Sequence, residues 1–148
     1  MAHRSCADAP PPELRVAVGE FNRGAFFECH ETLEALWLAE PGPLRRLYQG
    51  VLQVGVAFHH QRRGNYRGAM RLLASGIAYL TPFAPACLGV DVAGLLAAAE
   101  CCRDTLAALG PGRVRDFDPA LIPRITLAEP AAPADLPLRE PPTCPSRP

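Results

Sequence analysis

The stretch LRRLYQGVLQVGVAFHHQRRGNYRGAMRLLASGIAYL at residues 44–80 decides the fold. In its first part, apolar side chains recur every three or four positions, which predicts a long helix over residues 44–63. Gly64 is placed to end this helix, and Asn65 is placed to cap another helix over residues 66–80. Because only a tight turn lies between them, we expect the two helices to pack as antiparallel neighbours.

The same spacing of apolar side chains predicts three further helices, over residues 13–22, 25–40 and 92–109. The helix over residues 25–40 is apolar around much of its circumference and is expected to be central. Proline and glycine at residues 41–43 predict a turn, and Asp91 is placed to cap the last helix. No segment shows the sustained alternation of a strand. The sequence therefore predicts an all-α fold, a small antiparallel helical bundle of about five helices with a proline-rich C-terminal tail.

Composition divides the chain into three parts. Its 148 residues, 49% of them hydrophobic, provide apolar material for one core and too little length for two ordinary domains. We expect a disordered leader over residues 1–12, the bundle over residues 13–110 and the tail over residues 111–148. Ten of the 17 prolines lie in the tail, which is expected to be wrapped or disordered and to carry no catalytic residue.

Charge and missing motifs exclude several function classes. The 15 basic residues balance 15 acidic ones, so no overall field draws the protein to nucleic acid or to an anionic membrane. Every basic residue is arginine, which excludes lysine Schiff-base chemistry and the lysine of a P-loop. The Gly-x-Ser-x-Gly motif of nucleophilic hydrolases is missing. Neither a signal-peptide stretch nor a run of about 18 apolar residues occurs, so we expect a cytoplasmic protein without a membrane partner.

The six cysteines show no Cys-x-x-Cys spacing. Together with the expected cytoplasmic location, this predicts reduced thiols rather than a disulfide framework. Cys29 is the cysteine nearest to the polar residues described next, and its small, apolar character favours a packing role.

Two predicted helices carry polar side chains on otherwise apolar faces. His30 and Glu34 are four positions apart and share a face, whereas Glu31 points about 100 degrees away from His30. On the next helix, three polar side chains fall within about 40 degrees of one another. Antiparallel packing of the two helices would bring the polar faces together inside the bundle. The cluster consists of His30, Glu31, Glu34, Gln49, Gln53 and His60.

Two interpretations of this cluster remain open. One is a site for a divalent metal (Zn, Fe or Mn), with His30, Glu34 and His60 as ligands and Glu31 as the catalytic base. The same pocket could instead hold a small polar ligand. The ligand-binding candidates are then Gln49, Gln53, Trp37 and Arg63. The other interpretation is a hydrogen-bond network that fixes helix register and binds nothing.

The pattern departs from the known metalloenzyme motifs. The run His30-Glu31-x-x-Glu34 carries a glutamate where the zincin motif has its second histidine, and the paired Glu-x-x-His motifs of di-iron bundles are missing.

An arginine cluster surrounds the turn at residues 64–65. Arginines beside a helix N-terminus suit an anion or phosphate, although such clusters are usually solvated surface. Only Tyr66 is close enough to stack on a base, so the sequence favours a small molecule or a protein as partner over nucleic acid. A homo-oligomer built helix on helix is also open. The cluster consists of Arg62, Arg63, Arg67 and Arg71.

Three runs carry a resemblance to a known family. They are FNRGAFFECHETLEALW at residues 21–37, YQGVLQ at residues 48–53 and HQRRGN at residues 60–65. Over residues 14–96 the chain resembles the family of unknown function numbered 309, which implies an all-helical bundle and brings no established activity. Cys29 departs from the family, where alanine is more frequent. The positions that match the family pattern are Phe26, Glu28, His30, Glu31, Glu34, Trp37, Gln49, Gly50, Gln53, Gly64 and Ala69.

Overall fold

The computed structural model describes residues 4–128, and within them the fold is the predicted all-α bundle. Each helix boundary lies within one or two residues of the sequence prediction. The α-helices are α1 (Pro12–Asn22), α2 (Phe26–Ala39), α3 (Arg45–Arg62), α4 (Tyr66–Leu80) and α5 (Val92–Leu109). No helix in this part of the chain combines the length and apolar character needed to span a bilayer.

Helix α3 lies between α2 and α4 and packs antiparallel to both. The Phe26 ring at the start of α2 is 5.9 Å from the Phe58 ring near the end of α3. At the opposite ends of the same helices, the Arg45 guanidinium lies 5.3 Å from the centre of the Trp37 ring. These pairs place the two chain directions opposite to each other, as the short connection predicted.

Small residues allow α3 and α4 to approach closely. A Cβ atom added at Gly76 would lie 2.8 Å from Val54 Cγ2 and 3.0 Å from the Gly50 carbonyl oxygen. The carbonyl oxygen cannot withdraw without moving α3, so only glycine fits there. The predicted connection between the helices is also confirmed, because Asn65 Oδ1 accepts from the backbone N–H of Gly68 at 2.9 Å.

Residues 4–11 of the leader pack on the bundle, whereas the sequence predicted a disordered leader over residues 1–12. Residues 4–11 lie against the bundle, where Pro10 and Pro11 are buried, and Cys6 forms a disulfide with Cys87. The Leu88 backbone N–H donates to the Cys6 carbonyl oxygen at 2.8 Å. Cys87 belongs to a small antiparallel hairpin of two strands, β1 (Ala86–Cys87) and β2 (Val90–Asp91). The leader is therefore attached to a segment far along the chain.

The described part of the tail completes the core. Residues 111–128 wrap the bundle and contribute Val114, Phe117 and Ile125 to its buried side chains. Two hydrogen bonds connect Asn22 to the Ile125 backbone, at 3.0 and 2.8 Å. The core thus extends past residue 110, where the bundle was predicted to end. The rest of the predicted tail, residues 129–148, lies outside the described residues.

Candidate ligand-binding site

The predicted pair on α2 is present, but it lies at the surface. His30 Nε2 is 3.5 Å from Glu34 Oε2, and the two side chains remain 39% and 45% exposed. Glu31 is exposed as well. A pair this accessible to water is not the buried site that was expected, and an ion pair of this kind contributes little to stability.

His60 lies elsewhere, beside the first turn of α4. Its Nδ1 atom is 3.2 Å from Asn65 Nδ2, and its ring also contacts the position where Gly68 would carry a Cβ. The pKa of His60 is held below its ordinary value by partial burial and then by three nearby cationic groups. In order of effect, these groups are His59, Arg71 and Arg63. Gln49, Gln53 and His60 form the polar stripe of α3. At His60, this stripe therefore faces α4.

The three predicted metal ligands are not brought together. Among residues 4–128, no group of three or more His, Cys, Asp or Glu side chains is arranged to hold a metal ion. The reason is the rotation of α3 about its axis, which directs His60 towards the start of α4 while His30 and Glu34 remain on the outer side of α2. Glu31 consequently has no assembled metal site on which to act as a base.

The four predicted ligand-binding residues are spread over several surfaces. Gln49 and Trp37 are half-buried, and Trp37 is covered by Arg45. Gln53 is half-buried too, but its Oε1 atom is fully buried and has no hydrogen-bond partner. Arg63 is exposed. The unpartnered amide oxygen costs about 1–3 kcal/mol.

A large cavity is present at the other end of α3. It has a volume of about 790 Å³ and lies between the leader, α1, α2 and the turn that leads into α3. One wall is apolar, and the remainder carries charged and hydroxyl groups. The lining consists of Arg4, Pro11, Glu13, Thr32, Ala35, Leu36, Ala39, Glu40, Pro41 and Tyr48. We refer to it as the leader cavity.

Charges of both signs meet at Tyr48 in the leader cavity. Burial is the main cause that raises the pKa of Tyr48 above its ordinary value, and the carboxylates of Glu40 and Glu13 raise it further. The Arg4 guanidinium opposes this increase through its charge and through a hydrogen bond to the phenol. Tyr48 is therefore a neutral hydroxyl at physiological pH.

Hydrogen bonds hold two polar side chains of the leader cavity, Thr32 and Glu40, in place. Glu40 Oε1 accepts from the Gly42 backbone N–H at 3.0 Å, which fixes the carboxylate at the turn. Thr32 Oγ1 donates to Glu20 Oε1 at 2.6 Å, and this bond satisfies a carboxylate that is only 7% exposed. The polar groups of the cavity are thus positioned by the bundle before any ligand arrives.

Sequence reasoning missed this cavity because its walls come from distant segments. Arg4 reaches Tyr48 because the leader folds back on the bundle, and Glu13 reaches it from the first turn of α1. One signal was available: Tyr48 lies on the apolar face of α3, and a buried phenol requires a polar partner. That signal indicates a polar neighbour without identifying it.

The cysteine prediction was wrong for Cys6 and Cys87, which are joined. Cys29 and Cys102 are free and buried, and burial raises the pKa of each thiol to about 12. For Cys29, the Glu20 carboxylate adds to the effect of burial. Both thiols are protonated at neutral pH and lack the thiolate that reactive cysteines require.

Comparison with known proteins shows that one part of the chain is similar to a family of unknown function. The profile described as "Domain of unknown function (DUF309)" matches residues 14–72. Residues 14–72 are therefore similar to the DUF309 family, and we call them the DUF309 region. The resemblance proposed from the sequence is thus confirmed, over a shorter range than the predicted residues 14–96. The DUF309 region supplies the α2 and α3 walls of the leader cavity, while Arg4 and Glu13 precede it.

One curated relative matches part of the chain. The chain is 46% identical to "Uncharacterized protein YpuF" of Bacillus subtilis (strain 168) over 56 residues, which are 37% of this chain and 32% of the relative. The chain therefore spans about a third of the length of the curated relative that it matches. No solved structure matches the chain.

Proposed function

We propose that this protein binds a small organic ligand in the leader cavity, and that the ligand carries a cationic amine on an apolar body. The observation that supports this most directly is the cavity itself, which combines an apolar wall with a few fixed polar groups. Its volume of about 790 Å³ falls in the range of about 300–1,000 Å³ that is typical of small-molecule sites.

The charge balance of the cavity favours a cation. Two carboxylates, Glu13 and Glu40, face one guanidinium, Arg4, and that guanidinium already interacts with Tyr48. An ammonium group placed between the carboxylates would balance the remaining negative charge and form charge-assisted hydrogen bonds. The apolar part of the ligand would lie against Leu36 and its neighbours on α2.

This proposal keeps the small polar ligand expected from the sequence and moves its site. The expected pocket used Gln49, Gln53, Trp37 and Arg63, whereas the leader cavity is lined by other residues. It also requires no metal ion and assigns no catalytic role to Glu31. Binding is therefore the activity to test first.

The test compares small aliphatic and aromatic amines with carboxylic acids of the same carbon skeletons. Binding is followed by backbone amide chemical shifts, which locate the ligand as well as detect it. We expect the amines to shift the signals of Thr32, Ala35 and Tyr48, and the acids to have no such effect. Equal binding of both panels, or shifts confined to another surface, would contradict the proposal.

The variant for this test is Glu13→Gln/Glu40→Gln. A glutamine at position 40 retains an oxygen for the Gly42 N–H, so the turn is preserved while the charge is removed. Amine affinity should fall about tenfold or more, which corresponds to about 1.4 kcal/mol. The matched control is Glu31→Gln, which removes an exposed carboxylate of α2 outside the cavity and should leave the affinity unchanged.

A further inference from the structure

A second surface lies at the far end of α3, around the turn into α4. Four exposed arginines meet there, and we define them as the arginine face: Arg63, Arg67, Arg71 and Arg115. Arg63 follows α3, Arg67 and Arg71 are one turn apart on α4, and Arg115 comes from the chain segment after α5. Three separate segments thus contribute positive charge to one surface.

The fold holds these segments together. Arg115 Nη2 donates to the Arg63 carbonyl oxygen at 3.0 Å, and the Arg115 guanidinium lies over Gly64. A Cβ atom at Gly64 would be 2.9 Å from Arg115 Nε, and the φ angle of Gly64 is +80°, so a larger residue would displace the arginine. A depression of about 240 Å³ beside Gly64 makes this part of the surface concave.

The positive charge of the arginine face is not neutralised within the described chain. Over residues 4–128, none of the four arginines forms an ion pair. Other arginines are occupied: Arg113 pairs with Asp116 at 3.1 Å, and Arg62 lies over the Phe26 ring at 4.6 Å. The depressed pKa of His60, which Arg71 and Arg63 help to lower, agrees with a positive potential at this surface.

We propose that the arginine face binds an acidic segment of a partner protein, with aspartate or glutamate carboxylates received by the exposed guanidinium groups. Arginine suits this role because its planar fork matches a carboxylate with two parallel hydrogen bonds. A nucleic acid fits the surface less well. Tyr66 is the aromatic residue at the turn, and it is half-buried against the core, so it offers no free platform for a base.

The probe is a short polyglutamate peptide with a fluorescent label, followed by fluorescence anisotropy. We expect binding at low ionic strength that weakens as salt is added, because exposed charges are screened. In the variant Arg63→Gln/Arg67→Gln/Arg71→Gln the affinity should fall about tenfold or more. Thermal unfolding of the variant checks that it remains folded.

The matched control removes the same number of positive charges away from the arginine face. Arg45→Gln/Arg46→Gln/Arg124→Gln does so with exposed arginines, two of them at the opposite end of α3. This control should bind the peptide with nearly unchanged affinity. An equal loss in both variants would show general charge attraction and overturn the proposal.

A short single-stranded oligothymidylate tests the competing partner class. Tighter binding of the oligonucleotide than of the peptide, lost in the arginine-face variant, would replace the acidic protein segment with nucleic acid. If neither probe binds at low ionic strength, the arginine face is solvated surface and the proposal is wrong.

Discussion

The two ends of α3 differ in how much of their surroundings comes from distant parts of the chain. At the first end, Tyr48 is covered by the leader and lies in a cavity that contains charges of both signs. At the other end, His60 and Arg63 border a surface that carries mainly positive charge, with Asp116 nearby and paired to Arg113. The same helix thus contributes to a large cavity of mixed charge at one end and to a mainly positive surface at the other.

The residue types of α3 do not explain this difference. Arginines occur at both ends of the helix, but Arg45 and Arg46 lie over the rings of Trp37 and Tyr79, at 5.3 and 4.9 Å. These contacts give each of the two exposed guanidinium groups a partner on the protein surface. Arg63 has no such ring beneath it and remains exposed. The neighbours that pack on a helix, more than its own sequence, decide which of its charges are available to a partner.

The largest change to the Tyr48 end of α3 should come from breaking the covalent attachment of the leader. In Cys6→Ser/Cys87→Ser the leader loses a crosslink between residues 81 positions apart. We expect the free energy of unfolding to fall by about 2–4 kcal/mol, and the amide signals around the arginine face to remain unchanged. Chemical denaturation and amide spectra measure the two effects.

The single variant Cys6→Ser is the control for this prediction. If the crosslink is responsible, the single variant should lose as much stability as the double variant. A double variant as stable as the wild type would show that the leader is held without the disulfide, and the contrast between the two ends would then have another cause.

A smaller effect is expected where the tail closes on the open end of α3. The buried Gln61 Nε2 donates to the Val114 carbonyl oxygen at 3.1 Å. Gln61→Leu keeps the size of the side chain and leaves that carbonyl without its donor, so stability should fall by about 1–3 kcal/mol in urea unfolding. Gln49→Leu, at a half-buried position of the same helix, should change it by about 0.5 kcal/mol or less. Equal losses would mean that the Val114 contact is not specific.

The smallest effect concerns pH at the positive end. Because the pKa of His60 is lowered in the folded state, the unfolded chain binds more protons once the pH drops below about 6.5. The stability associated with neutral His60 is therefore present above that pH and is lost as the pH falls through the folded-state pKa. His60→Gln should remove this part of the pH dependence, measured by unfolding at several pH values.

Arg71→Gln sharpens the same prediction by removing one of the cations near His60. An NMR titration should then place the pKa of His60 closer to its ordinary value than in the wild type. An unchanged pKa would mean that Arg71 exerts little potential at this ring, and that burial and the other nearby groups lower the pKa.

The helices could be predicted from the sequence because their signals are local. Gly64 and Asn65 mark the connection between α3 and α4, and the structure uses them as expected. The same local reasoning correctly placed His30 and Glu34 on one face of α2. Spacing along a helix fixes which of its side chains are adjacent, so these neighbours could be predicted from the sequence.

Spacing does not fix how a helix is rotated against its neighbours. For that reason the polar stripe of α3 was expected to face α2, whereas His60 lies against the first turn of α4. The leader cavity could not be predicted from the sequence for a related reason. It depends on a contact between Cys6 and Cys87, and six cysteines allow 15 complete pairings, which sequence spacing cannot distinguish.

The attachment of the leader also orders the assembly of the molecule during synthesis. The α3–α4 pair contains its own connection and can pack as soon as residue 80 has left the ribosome. The leader is made first, yet its partners Cys87 and Leu88 emerge later than all of α1 to α4. We therefore expect the leader to close the cavity late, although it is made before the helices that form the cavity walls.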